Sequence, residues 1–210
     1  MSNVSVLSVI KKIGRPVFTT REISAASGKS LSAAVQALAY LERQGMLMKV
    51  SRGIWAETGS GKMSAYKVIP FLLPRHRAYV SFISALHLYG IVEQIPQVIT
   101  LASTSHTKTI KTRLGAFEFH QIAPSFFKGF DWYGGKEEFL IAEPEKALVD
   151  SLYISSFKRR RFGHFPELRF PESFDFKKAK MWVRHISNPR LRIITAKKLA
   201  RIESLKSAST

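Results

Sequence analysis

Between Val4 and Ala56 helix stops and starts follow so closely that only short helices and a tight hairpin fit between them. Val4, Leu7, Ile10 and Ile13 recur at helical spacing and predict a first helix to about Lys12. Gly14-Arg15-Pro16 stops it, and Val17-Phe18 reads as a short extended piece. Thr19 followed three residues later by Glu22 is a capping-box pattern, in which hydroxyl and carboxylate satisfy each other's free backbone amides. It predicts a short helix through Ile23, Ala25 and Ala26 that ends at Gly28, with Ser30 placed to cap the next. That next helix spans 31–44 and puts Leu31, Ala34, Val35, Leu38 and Leu41 on one apolar face. Gly45 closes it, 46–50 extends, Ser51-Arg52-Gly53 turns, and Ile54-Trp55-Ala56 extends again.

This order predicts a winged helix-turn-helix. The third helix would lock onto the first two by its apolar face. Its other face carries Ser32, Ala33, Gln36, Ala37, Tyr40 and Arg43, small and hydrogen-bonding residues suited to a major groove wide enough for a helix. Ser32, Gln36 and Tyr40 are the expected base-reading residues, with Ala33 small enough for close approach. Lys29 and Ser30 at the helix N-terminus would meet phosphate, and Lys49, Ser51 and Arg52 would form a wing on the DNA backbone. The same module can also dock proteins, and a polar helix face can simply be solvated.

Charge favours the nucleic-acid reading. Of 210 residues, 33 are Lys or Arg and 15 Asp or Glu, a net charge of +18 that suits a polyanion. Residues 1–60 hold 8 basic and 3 acidic residues, 61–155 hold 10 and 8, and 156–210 hold 15 and 4. The nearly neutral middle should form the main core, since 45% of the chain is apolar. Thr58-Gly59-Ser60-Gly61-Lys62 reads as a linker, giving an expected DNA-binding domain over 1–58 and an α/β domain over 62–210 whose basic end is 156–210. The expected class is therefore α+β. No cysteine is present, which excludes thiolate zinc sites, iron–sulfur clusters and cysteine nucleophiles and fits a cytoplasmic protein. Neither a membrane span nor a signal peptide is read, and no cofactor or metal is expected.

In the middle, Tyr79, Phe82, Ile83, Leu86 and Tyr89 suggest an amphipathic helix ending at Gly90. Strands are expected over 98–102, 115–122 and 139–142, with a polar loop over 103–112. Glu143-Pro144-Glu145-Lys146-Ala147-Leu148-Val149-Asp150 opens a helix: proline suits its first turn, and the glutamates complement its dipole. Ala147, Leu148, Ser151 and Leu152 make the expected buried side, while Lys146 and Asp150, four apart, form an ion pair. Beyond it, 174–186 and a segment starting at Pro189 read as helices, and 204–210 as a frayed polar end. Lys158, Arg159, Arg160 and Arg161 make a run of four cations, a candidate second basic contact.

Three blocks carry a family resemblance: Arg52-Gly53-Ile54-Trp55 closing the N-terminal module; Ile83-Ser84-Ala85-Leu86-His87-Leu88-Tyr89-Gly90 followed by Gln94-Ile95-Pro96; and Ala142 to Asp150. The last is similar to the Pro-Glu-Lys-Ala-Leu-x-Asp signature of AbiEi antitoxins, from the AbiE abortive-infection systems of phage defence. The likeness covers roughly residues 5–155 in matching order. It implies a bacterial type IV antitoxin that represses its own operon through inverted repeats. Its functional partner would be a nucleotidyltransferase-like toxin, countered without a stable complex. It carries DNA binding onto the 31–44 helix and Arg52, and the family signature onto Pro144, Glu145, Lys146 and Asp150. An ordinary winged-helix transcription factor is the alternative. A metal-dependent nuclease using Asp131, Glu143 and Glu145 is a third reading, although Glu145 and Asp150 diverge by about 140° on a helix. Oligomeric state stays open.

Overall fold

The computed structural model describes residues 5–59, 63–135, 139–157 and 166–208. Within them the chain is mixed α+β, with eight α-helices and two sheets. It divides into two units, Met1–Pro74 with Lys111–Gly115, and Arg75–Ile110 with Ala116–Thr210. The first unit thus runs past the linker read at 58–62 and takes in a second, short stretch of chain.

In the first unit the elements are α1 (Val6–Ile13), β1 (Val17–Thr19), α2 (Thr20–Ser27), α3 (Leu31–Arg43), β2 (Leu47–Ser51) and β3 (Ile54–Glu57), followed by the single turn α4 (Ile69–Leu72). Each boundary has a local cause. Gly14 ends α1 in the left-handed conformation, where its amide reaches back to Ile10 O. The Thr19–Glu22 capping box is complete in both directions. Ser30 Oγ accepts the Ala33 amide at 3.2 Å and starts α3. Strand β3 lies between β1 and β2, antiparallel to both. The hairpin turn is shorter than expected: Ser51 already pairs with Ile54, leaving Arg52 and Gly53, the latter at φ +76°. The core joins Val9 and Ile10 of α1, Ile23 of α2, Ala34, Leu38 and Leu41 of α3, and Phe18 and Trp55 of the sheet. Trp55 Nε1 donates to Thr20 Oγ1 at 2.8 Å, so its one polar atom is satisfied inside. Truncating fully buried Leu38 to Ala would cost about 2–5 kcal/mol.

The second unit contains β4 (Ala78–Val80), α5 (Phe82–Leu88), β5 (Val98–Ser103), β6 (Lys108–Thr112) and β7 (Gly115–Gln121) apart from their ends at Lys111, Thr112 and Gly115, β8 (Phe130–Trp132), β9 (Leu140–Ala142), α6 (Pro144–Ser155), α7 (Phe176–Arg184) and α8 (Pro189–Ala208). Its sheet runs β6-β7-β5-β4-β9-β8, parallel at β5–β7 and β4–β9, antiparallel at β4–β5 and β8–β9. Three sequence expectations are corrected here, and one strand is added. Tyr79 belongs to strand β4, not to the following helix; only two residues separate it from α5, and Phe82 turns the chain with a φ of +58°. Part of the expected 103–112 loop is strand β6, whose polar, mostly exposed residues give no hydrophobic alternation. Strand β8, only three residues long, had no sequence signal. Helix α8 continues through 204–206 to Ala208, beyond the expected start of fraying. No helix among the described residues is long and apolar enough to cross a membrane.

Candidate nucleic-acid interface

At about 100° per residue, the buried stripe of α3 (Ala34, Leu38, Leu41) leaves most of the opposite half-turn open. Ser32, Gln36, Tyr40 and Arg43 are exposed there, Tyr40 by 55%. Ala33 is half-buried. Lys29, Ala33, Gln36 and Tyr40 line one open depression of about 600 Å³, whose other wall is the start of α1 at Ser5, Val6 and Leu7. The remaining expected contacts lie elsewhere in the unit. Ser30 is exposed, but its Oγ is engaged in capping. Lys49 is exposed on β2, with Nζ 5.7 Å from the centre of the Trp55 ring. Ser51 is half-buried at the end of β2, and Arg52 is exposed at the turn.

Two of the three carboxylates of this unit are engaged by groups within it. Glu22 serves the capping box and pairs with Arg15. Glu42 accepts the Lys49 amide at 3.1 Å and pairs with Arg113 at 2.8 Å, while the Arg113 amide donates to Val50 O at 3.1 Å. Lys49 and Arg52 therefore stand on a hairpin held through both its backbone and Glu42. An anion approaching the open side of α3 meets amide, hydroxyl and cationic groups.

Sequence reading placed Leu31 and Val35 on the buried face, and both are exposed, by 51% and 44%. Val35 lies about 90° from the axis of the Ala34–Leu38–Leu41 stripe, and Leu31 stands in the first turn. Counting apolar residues at spacings of three and four merged two neighbouring rows into one. The wheel angle separates them.

The signature helix α6 is a different kind of place. Lys146 and Asp150 have no exposed side-chain surface. Their ion pair is close, and Tyr79 OH and Ser81 Oγ both donate to Asp150 Oδ2, at 3.0 and 2.8 Å. Lys146 Nζ donates to Tyr79 OH at 3.1 Å and stands 3.8 Å from the centre of the Phe126 ring. Burial pushes the Lys146 ammonium down and the Asp150 carboxyl up, and their mutual attraction opposes both shifts. Glu145 is buried, and its Oε1 accepts the Asp175 amide at 3.1 Å. Lys178 Nζ bridges Glu143 at 3.1 Å and Glu145 at 3.6 Å, and Trp182 Nε1 donates to Glu143 Oε2 at 3.2 Å. Burial alone would lower the Lys178 pKa, but the two glutamates hold it above its usual value. Pro144 fills the first position of the helix.

The nuclease reading needs Asp131, Glu143 and Glu145 to converge on a cation. Among the described residues no three His, Asp or Glu side chains are arranged to hold a metal ion. The two glutamates instead share the single Lys178 ammonium. In the basic end, Lys198 reaches back to Ser155 O and Oγ at the end of α6, both at 2.8 Å, and Lys180 pairs with Glu203 at 2.8 Å. Lys158, Arg159, Arg160 and Arg161 lie outside the described residues. No family model matches the chain, and no curated protein matches it.

Proposed function

We propose that this protein is a sequence-specific duplex-DNA-binding regulator that acts through a winged helix-turn-helix. On the resemblance of its motifs, we read it as the autorepressing antitoxin of a type IV system, countering a nucleotidyltransferase-like toxin in the cytoplasm. The observation that carries DNA binding is the open side of α3: hydrogen-bonding side chains at Ser32, Gln36 and Tyr40, with Arg43 at one end and the carboxylates of Glu22 and Glu42 engaged by other groups of the unit. The element order helix, strand, helix, helix, hairpin, with a β1-β3-β2 sheet, supports the winged-helix assignment. In this reading α3 lies in the major groove, Gln36 and Ser32 meet base edges, and Lys49 and Arg52 neutralise phosphate.

The test is a binding titration of the full chain on the DNA upstream of its own gene, against random duplex of equal length, over a range of salt. Preference for the upstream DNA supports the reading, and equal binding ends it. Gln36→Ala should reduce that preference by about 1–3 kcal/mol, whereas Arg52→Ala should weaken both duplexes alike and flatten the salt slope by about 0.9. For the antitoxin part, co-expression with a neighbouring nucleotidyltransferase-like gene should rescue growth. The absence of such a gene would favour a transcription factor without a toxin partner.

A further inference from the structure

The open side of α3 carries two parallel rows of side chains. One is apolar, Leu31 and Val35, four residues apart and exposed by 51% and 44%. The other is hydrogen-bonding, Ser32 and Gln36, also four apart and exposed. On a helix the rows are about 100° apart and all four side chains fall within one half of the circumference, so a groove that receives this side borders both. Two large aliphatic side chains left in water beside two polar ones call for a surface of the same mixed kind.

An A·T pair in the major groove is such a surface. Thymine shows a 5-methyl group beside its O4 acceptor, and adenine adds the N7 acceptor and N6 donor. A protein partner would suit an apolar row as well, but the surroundings select an anion. Arg43 lies on the same side of α3, Lys29 precedes the helix, and Lys49 and Arg52 stand on the hairpin; Glu42, the single carboxylate of α3, is engaged by Lys49 N and Arg113. We propose that Leu31 and Val35 are specificity residues that close on thymine 5-methyl groups in the major groove. The preferred site is then rich in A·T pairs beneath the first two turns of α3. This rests on the DNA-binding reading above and adds to it which bases are read.

Replacing thymidine by deoxyuridine removes the methyl group and leaves the pairing edge intact. The full chain first selects duplexes from a random-sequence pool. The tightest is then synthesised in both forms, and its affinity is measured by fluorescence anisotropy. The expected result is a loss of about fourfold per contacted methyl group in the deoxyuridine form. A Leu31→Ala/Val35→Ala variant should bind the thymidine form correspondingly more weakly and no longer distinguish the two. Leu31→Met and Val35→Ile, which keep apolar reach, should still distinguish them. Thermal unfolding should show all variants folded, since both positions are exposed.

Equal affinity of the parent for both forms overturns the inference while leaving DNA binding standing. So does a selected site without thymine, or an alanine variant that keeps the parent's discrimination. Dissociation of an oligomer by the double alanine variant, read by sedimentation, would assign the apolar row to a second copy of the chain instead. If the pool yields no enriched sequence, the inference falls together with the sequence-specific reading beneath it.

Discussion

Helices α3 and α6, one in each unit, treat polar residues in opposite ways. Helix α3 buries only Ala34, Leu38 and Leu41 and leaves its amide, hydroxyl and guanidinium groups in water. Helix α6 is buried continuously from Glu145 to Ile154, charges included. A charged motif is easily taken for a reactive one. Here the chemically richer sequence, Pro144-Glu145-Lys146 with Asp150, is closed inside its unit and pairs with Tyr79, Ser81, Asp175 and Lys178. The plainer one, Ser32 with Gln36 and Tyr40, is where a ligand can reach. Accessibility, not chemical reactivity, separates a binding surface from a scaffold.

The largest test of this contrast is Asp150→Ala. It strands the Lys146 ammonium without a counter-charge and should cost about 3–5 kcal/mol in denaturant-unfolding free energy. Lys146→Met with Asp150→Asn, which keeps an acceptor for Tyr79 and Ser81 and removes both charges, should restore most of that loss. An Asp150→Ala cost below about 1 kcal/mol would mean that the network is not what holds α6. Next comes Gly129, whose φ is +78° and where an added Cβ would stand 2.6 Å from Cζ2 of the Trp182 side chain. Gly129→Ala should destabilise by about 1–3 kcal/mol, measured the same way.

On the α3 side, Gln36→Ala and Tyr40→Ala should change stability by less than about 0.5 kcal/mol while reducing preference for the upstream DNA. A loss of more than about 2 kcal/mol in either would make the open face of α3 part of a core and erase the contrast. The smallest effect concerns Tyr89. Burial, with Glu143, Tyr133, Glu145 and Asp131 nearby, pushes its hydroxyl from the ordinary 10.0 up to about 12. The folded state holds the phenolic proton more tightly than the unfolded chain. Its contribution is therefore complete below about pH 10 and is lost as pH rises toward 12. Because the ring is only half-buried, solvent screening keeps the effect modest. Tyr89→Phe should remove one late-titrating group from the near-ultraviolet tyrosinate titration and flatten stability over that window.

Much of the first unit is legible in the residues because its signals are local. The capping box, Ser30, Gly14 and Gly53 act within a few residues of themselves, and each marks a boundary seen in the structure. Reading failed where the deciding partner is far along the chain. Tyr79 fits a helical spacing with Phe82, but pairing with Ala102 of β5 draws it into a strand. Thr109 and Lys111 are exposed and alternate with half-buried Ile110 and Thr112, but the edge strand β6 has Ile110 as its single apolar residue and so shows no hydrophobic alternation. On the candidate interface, Gln36, Tyr40, Lys49 and Arg52 are open as expected, while Leu31 and Val35 needed the actual helix rotation to be recognised as exposed.

Sequence alone determined the cuts between helices, the Lys146–Asp150 spacing and the excess of cations, because these depend on backbone capping, helical periodicity and composition. Tertiary structure decided which side of α3 stays in water, which carboxylates of the first unit are occupied, and that the signature helix is enclosed. Those outcomes depend on what packs against each side chain, and the packing partners are tens of residues away: Trp55 for Thr20, Arg113 for Glu42, Tyr79 for Asp150. Burial is a property of the assembled fold, and the order of residues states it only where neighbours in sequence are also neighbours in space.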